Sequence, residues 1–257
     1  MNDLGMISHV ASALLYISVR VSTLMLLAPF LGSPGIPVRI KAGATIAITA
    51  LLAAQQGFRP LPVDGWQVVT VVAGEVLAGL CLAFSLQLVF DAAQFAAHIV
   101  GLQMGFSYAS IVDPQTQAET TAISVFCQTI VLLIFLRLDV HHWLLRGLAK
   151  SFEYVPPGSV NFQESLVTHL QQQINGMFLA GLQIAAPILI ATVLADFALA
   201  LIGKASPQLP VLFVGMSVKA MLGMFVLGTA LLTWPSLFHA QFERAAHSAE
   251  RMLSLTR

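Results

Sequence analysis

An all-α, polytopic membrane-class protein is the fold this chain predicts, and three observations predict it. Hydrophobic residues make up 57% of the 257 positions and charged residues 9%, against about 25% charged in an average soluble domain. About six long apolar helices can be traced, and the longer ones, at 1.5 Å per residue, suffice for a hydrocarbon layer of roughly 30 Å. The last two form a hairpin, Gly176 to Trp234, whose two segments are apolar on all sides apart from Asp196 in the first and Lys219 in the second, which a soluble helix rarely is.

The first run, Met6–Leu31, is apolar except for single polar residues and Arg20, and Pro29 with the Gly32 to Pro37 stretch ends it. No basic residue precedes Arg20, so this segment is read as a retained helix and not a cleavable signal. Ala42–Ala54 is thirteen residues long, short for a crossing, and predicts a re-entrant or protein-buried helix. Trp66–Phe90 carries Glu75, with Gly74, Ala78 and Gly79 placed for close helix approach. Helix then continues through Asp91–Met104, whose Gln94, His98 and Gln103 call for protein neighbours. Gly105–Glu119 has no clean period and contains Asp113-Pro114, so it is a loop. Ala122–Leu136 is the fourth run, followed by a polar band through His141, His142 and Trp143 suited to an interface.

Pro156-Pro157-Gly158 is a turn, and Asn161 with Glu164 resembles a capping box. Phe162, Leu166, Leu170 and Ile174 recur at every fourth position and lead into Met177–Ile202, kinked at Pro187. The hairpin turn spans Gly203 to Pro210 and includes Lys204, Pro207 and Gln208, and Val211–Leu232 is the sixth run. Beyond Pro235, Phe238, Phe242, Ala245, Ala249 and Met252 share one face while Glu243, Arg244, His247, Glu250 and Arg251 share another, an amphipathic tail for an interface or a partner.

Charges inside apolar helices cost roughly 2.5–3.5 kcal/mol each, so they should face protein or one another. Asp196 and Lys219 are equally far from the turn between Pro207 and Gln208, which predicts a buried pair across the hairpin. Stranding one member of such a pair costs roughly 3–5 kcal/mol. Formal charge is zero and basic residues are scattered, which speaks against nucleic acid. Cys81 and Cys127 read as small core hydrophobes, and the methionines as core packing. His141 and His142 predict no metal site, since neighbours on a helix point apart and no third ligand is spaced nearby. No nucleophile elbow, phosphate loop or zinc helix occurs, so neither an enzyme nor a cofactor is expected.

Taken in order, Arg20; Pro29 with Ile36-Pro37-Val38-Arg39-Ile40-Lys41; Gly74-Glu75 with Gly79; Gly101 to Ser107 with Asp113-Pro114; His141-His142 with Ser151-Phe152; and Gly203 with Pro207-Gln208 and Gly215 resemble the FliR family. That family is the R component of the export gate in flagellar and related type III secretion systems. Lys204 stands where arginine is usual, and Ser217 where proline is common. The resemblance implies a subunit of a helical gate in the bacterial inner membrane, at the base of a flagellum or secretion apparatus. It would be assembled with P-type and Q-type subunits, touch the B-type component, and pass unfolded export substrates. It also implies a P-like part over residues 1–175, a Q-like hairpin over 176–235 and the tail over 236–257, with Arg20, Glu75, Asp196 and Lys219 as buried charges used in assembly.

In such a gate the Gly105–Glu119 loop is expected to close the pore. Phe106, Tyr108, Ile111 and Val112 offer apolar bulk, Gly105 and Ser107 let the loop fold aside, and Asp113-Pro114 anchor one end. The rival from another class is a stand-alone ion-coupled secondary transporter using Glu75 and Asp196. Its inverted internal repeat is not found in the sequence.

Overall fold

The computed structural model describes residues 3–33, 35–56, 65–106, 122–159, 164–206, 208 and 211–255, with side chains at all of these but 3–9, 56 and 211–213. Among the described residues the elements are helices: α1 (Asp3–Leu27), α2 (Val38–Gln56), α3 (Gly65–Gln103), α4 (Ala122–Arg137), α5 (Val140–Tyr154), α6 (Glu164–Ala205), α7 (Val211–Ala230) and α8 (Trp234–Leu255). Four of them, α1, α2, α3 and α6, are long and apolar enough to cross a membrane, or up to six spans arise if the bent pairs α4 with α5 and α7 with α8 each count as one. The protein is therefore an all-α polytopic membrane protein.

The chain forms two compact units. One comprises Met1–Leu88, Asp139–Ile174 and Phe242–Arg257; the other comprises Val89–Leu138 and Asn175–Gln241. Three helices, α3, α6 and α8, contribute to both units, so each unit is built from segments far apart in sequence.

In the first unit, α1 lies close against α3 because Gly79 has no side chain. A Cβ there would sit 2.8 Å from the Arg20 carbonyl oxygen and 2.9 Å from the Thr23 Cβ, so the helices could not stay at this distance. Tyr16, Ile17, Val21 and Leu24 from α1 are buried, as are Ala78, Cys81 and Leu82 from α3. On α5, Val140, Leu144, Leu148, Ser151 and Phe152 are the buried positions, a stripe at helical spacing that turns one face inward. The inward face of α8 is covered by this chain itself: Met252 packs with Cys81 and Leu166, and Leu77 and Leu170 lie against that cluster. Ala245 and Ala249 are buried too, whereas Glu243, Arg244, His247 and Arg251 are exposed. The apolar stripe expected to meet an interface or partner is thus used internally, because α3 and α6 supply matching apolar positions.

One expectation for this unit is corrected. The second apolar run is not too short to cross, since α2 has 19 residues and is mostly exposed. Arg39, Lys41, Gln55 and Gln56 lie inside the helix; polar residues ended the apolar run but do not break helix. Lys41 also donates from Nζ to the Gly32 carbonyl at 2.9 Å, which ties α2 to the turn leaving α1.

In the second unit, glycines again set the spacing. A Cβ on Gly181 would lie 2.9 Å from the Ala92 carbonyl oxygen, and one on Gly223 would lie 2.6 Å from the Met104 Cγ, so the later half of α3 is approached closely by α6 and α7. Edge-on aromatic pairs add to this core, Phe90 with Phe135 at 5.5 Å and Phe95 with Phe178 at 5.3 Å between centroids. Helix α6 continues through Pro187, which removes one donor from its hydrogen-bond ladder. Cys81 and Cys127 are both buried and free.

Candidate functional site

The strongest concentration of buried charge is in the first unit. Arg20 on α1 and Glu75 on α3 are both fully buried, and Arg20 Nε donates to Glu75 Oε2 at 2.6 Å. The rest of the guanidinium is taken up by α5 and the turn after it. Nη1 donates to Ser151 Oγ at 3.1 Å and Nη2 to the Val155 carbonyl at 3.0 Å. The Phe152 ring lies under the cation, 4.2 Å from Cζ to centroid, a cation–π contact strengthened by the absence of water. Ser151 accepts from the arginine and donates its own proton to the Leu148 carbonyl at 2.7 Å.

The other carboxylate oxygen of Glu75 accepts from the Gly158 amide at 3.2 Å. That amide is held in place by the Pro156-Pro157-Gly158 sequence. Gly158 has φ 84°, Ser159 donates its amide to the Pro156 carbonyl at 3.1 Å, and proline followed by a positive-φ glycine is the signature of a type II turn. Sequence, turn and ion pair are therefore one construction, which clamps α1, α3 and the end of α5 together. An ion pair this dry is tolerated because its remaining hydrogen-bonding capacity is met.

In the second unit the structure brings Asp196 on α6 and Lys219 on α7 to 3.0 Å, Nζ to Oδ1. The pair is more open than the expected buried one: the aspartate side chain is 47% exposed and the lysine 20%. Around it the hairpin shows large apolar residues on its outside, with Phe197 71%, Met221 76% and Phe225 72% exposed. The turn is also narrower than expected. Gly203 and Lys204 belong to the last turn of α6, where the lysine cation complements the helix dipole. Gln208 is an exposed turn residue and Pro207 lies outside the described residues.

Of the loop residues, Gly105 and Phe106 are described, and they end α3. Gly105 has φ 85°, and its amide donates to the Leu102 carbonyl at 3.1 Å while Phe106 donates to Gly101 at 3.0 Å. These two bonds form a Schellman motif, in which a left-handed glycine is strongly preferred, so Gly105 is first of all a helix cap. Ser107, Tyr108, Ile111, Val112, Asp113 and Pro114 lie outside the described residues, as do Asn161 and Phe162.

At the start of α5 the geometry differs from the premise that neighbouring histidines point apart with no third ligand nearby. The His141 and His142 rings are 4.2 Å apart and tilted, and Asp139 supplies a third donor, 3.4 Å from His142 Nδ1 and 3.9 Å from His141 Nε2. The ligand atoms of all three lie within 4.8 Å of one another. Asp139 caps α5 in the left-handed conformation, φ 53°, and stands three residues before His142, the spacing at which side chains at a helix start are neighbours. The cluster is open to water on most sides.

Sequence reading named Arg20 and Glu75 without pairing them, because nothing local connects residues 55 apart. A signal was nevertheless present: once Asp196 is matched with Lys219, the two remaining charges singled out in apolar helices are of opposite sign. Ser151, Val155 and Gly158 were not identifiable as partners, since two of the three act through backbone groups or geometry.

The chain matches the family described as "Bacterial export proteins, family 1" over residues 11–245. It is 31% identical over 211 residues to the flagellar biosynthetic protein FliR of Bacillus subtilis (strain 168), covering 80% of this chain and 81% of that protein. It is 28% identical over 213 residues to FliR of Escherichia coli (strain K12), covering 83% and 82%. It is also 28% identical over 170 residues to the secretion system apparatus protein SsaT of Salmonella typhimurium, covering 66% and 64%.

Proposed function

Because the chain belongs to the bacterial export protein family 1, the family of FliR, we propose that it is a core subunit of a flagellar or type III protein export gate in the bacterial inner membrane. In this reading it forms, with P-type and Q-type subunits and in contact with a B-type component, the channel through which unfolded export substrates cross. The observation that carries it is the family match, which runs over residues 11–245 and so takes in both compact units. Geometry supports it in two ways. The hairpin presents large apolar side chains around a half-open ion pair, as a subunit finished by neighbours would. Glu75, the acid an ion-coupled transporter would use, is held by Arg20 and the Gly158 amide, and nothing favours the transporter reading. Residues 1–175 are then the P-like part, 176–235 the Q-like hairpin and 236–257 the tail.

The loop from Gly105 to Glu119 is proposed as the pore seal on its composition alone, with Gly105 to Pro114 as its working part. Deleting Ser107–Val112 is expected to leave assembly and secretion largely intact while admitting ions and slowing growth; a deletion that assembles and stays tight to ions removes the seal. The gate reading itself is tested by purifying the tagged chain from membranes with and without P-type and Q-type proteins. It should copurify with them and aggregate without them. A folded monomer recovered in mild detergent in their absence overturns it.

A further inference from the structure

The flank of α5 beside its buried stripe borders a cleft that the clamp and the hairpin do not use. The cleft is about 250 Å³ and lies among α3, α5 and α8 within the first unit. Its floor is apolar, made by Leu82, Leu86, Leu144 and Ala249, with Gly147 leaving room between them. A Cβ on Gly147 would meet nothing nearer than the Leu82 Cδ2 at 3.8 Å. The mouth has a different chemistry. Trp143, Arg146 and Lys150 all line it, and their spacing of three and four residues puts them in a row along α5.

Charge at the mouth is unbalanced. Glu250 also lines it, so two cations, Arg146 and Lys150, stand against one carboxylate. Among the described residues neither Arg146 nor Lys150 has an ion-pair partner. An occupant must therefore offer an anion to two cations one helical turn apart and a slender apolar body to the floor. An extended peptide would lay unpaired backbone amides on an apolar floor, where they find no partners. Free phosphate would satisfy the cations and leave the floor empty.

We infer that this cleft is a binding site for an anionic phospholipid, whose phosphate is held by Arg146 and Lys150 and one of whose acyl chains lies over Leu82, Leu86 and Gly147. The guanidinium matches two phosphate oxygens at once, and the lysine adds a point charge. Trp143 suits the level where headgroup meets acyl chain. Clustered cations beside apolar helices recur as anionic-headgroup sites in membrane proteins. The supply of ligand is not in question for a chain with four helices able to cross a bilayer.

The test uses the full chain purified from membranes in mild detergent with whatever subunits accompany it. Bound lipid is counted by native mass spectrometry while dioleoyl phosphatidylglycerol or dioleoyl phosphatidylcholine is titrated in. A preference for phosphatidylglycerol on the order of tenfold is expected from two phosphate-facing cations. The double variant Arg146→Gln/Lys150→Gln should abolish the preference while still binding either lipid weakly. Gly147→Leu should fill the floor and reduce both. Equal retention of the two lipids by the wild type overturns the site, as does a preference that survives the double variant. So does loss of phosphatidylglycerol to millimolar inorganic phosphate, which would make this a free-phosphate site. A photo-crosslinker at Lys150 that captures an acidic protein segment instead of lipid also overturns it. Both cations are on the surface, so the double variant keeps the test decisive if Gly147→Leu does not fold.

Discussion

The Arg20–Glu75 clamp and the Lys219–Asp196 pair join the same two kinds of charge between apolar helices, yet they are finished to different degrees. In the clamp both side chains are fully buried, and four further partners, Ser151, Phe152, Val155 and Gly158, complete the hydrogen bonding and the cation's surroundings. In the hairpin a single contact at 3.0 Å holds the pair, and nearly half of the aspartate side chain is open. A charge pair inside apolar structure is stable on its own only when the whole desolvation cost is offset within the chain. The first unit does this unaided. The hairpin leaves the task to lipid headgroups, water or neighbouring protein.

The largest effect expected from this comparison is at Arg20. Arg20→Met leaves Glu75 buried without its cation and should cost about 3–5 kcal/mol, read as a large fall in thermal midpoint and in monodisperse yield. The double variant Arg20→Met/Glu75→Leu should recover much of that loss, because a buried pair replaced by apolar groups of similar size is often neutral. A double variant as unstable as the single one would show that the two residues act separately.

Gly158 sharpens the same point at smaller scale. Gly158→Ala forces a side chain onto φ 84° and pulls the amide away from Glu75, for about 1–2 kcal/mol of destabilisation. Gly176→Ala, at a glycine inside α6 with nothing within 4 Å of its new Cβ, is the control and should be neutral or slightly stabilising.

The smallest effect is expected at the hairpin. Sequence reasoning placed the cost of losing that pair at roughly 3–5 kcal/mol on the assumption of burial; with the observed exposure, Asp196→Asn should cost the isolated chain at most about 1 kcal/mol. Assembly is the sharper measurement. If neighbours bury the pair, Asp196→Lys and Lys219→Asp should each impair copurification with partner subunits, and the charge swap combining them should restore it. Restoration absent, the contact does not contribute across the hairpin.

Much of the helix plan was legible in the chain because hydrocarbon-length apolar runs and proline and glycine breaks are local signals. The α2 boundaries were misjudged because polar residues at helix ends interrupt an apolar count without interrupting hydrogen bonding. The Asp139, His141, His142 cluster was missed because residues 137–143 read as a polar band and not as the start of a helix, which would have put Asp139 three residues before His142.

By itself the sequence determined that the chain is helical, that it is too apolar for water on every side, and that Arg20, Glu75, Asp196 and Lys219 lie within its apolar runs. Its motif order was also enough for the FliR family, a match to residues spaced along one strand of sequence. Tertiary structure alone decided that Arg20 meets Glu75, that a Pro-Pro-Gly turn donates to that glutamate, and that the tail's apolar face is covered by α3 and α6. The physical reason is that burial and pairing depend on which distant helices come within a few ångströms. At Gly79 that approach depends on an absent side chain, and one residue's backbone cannot say what will pack against it.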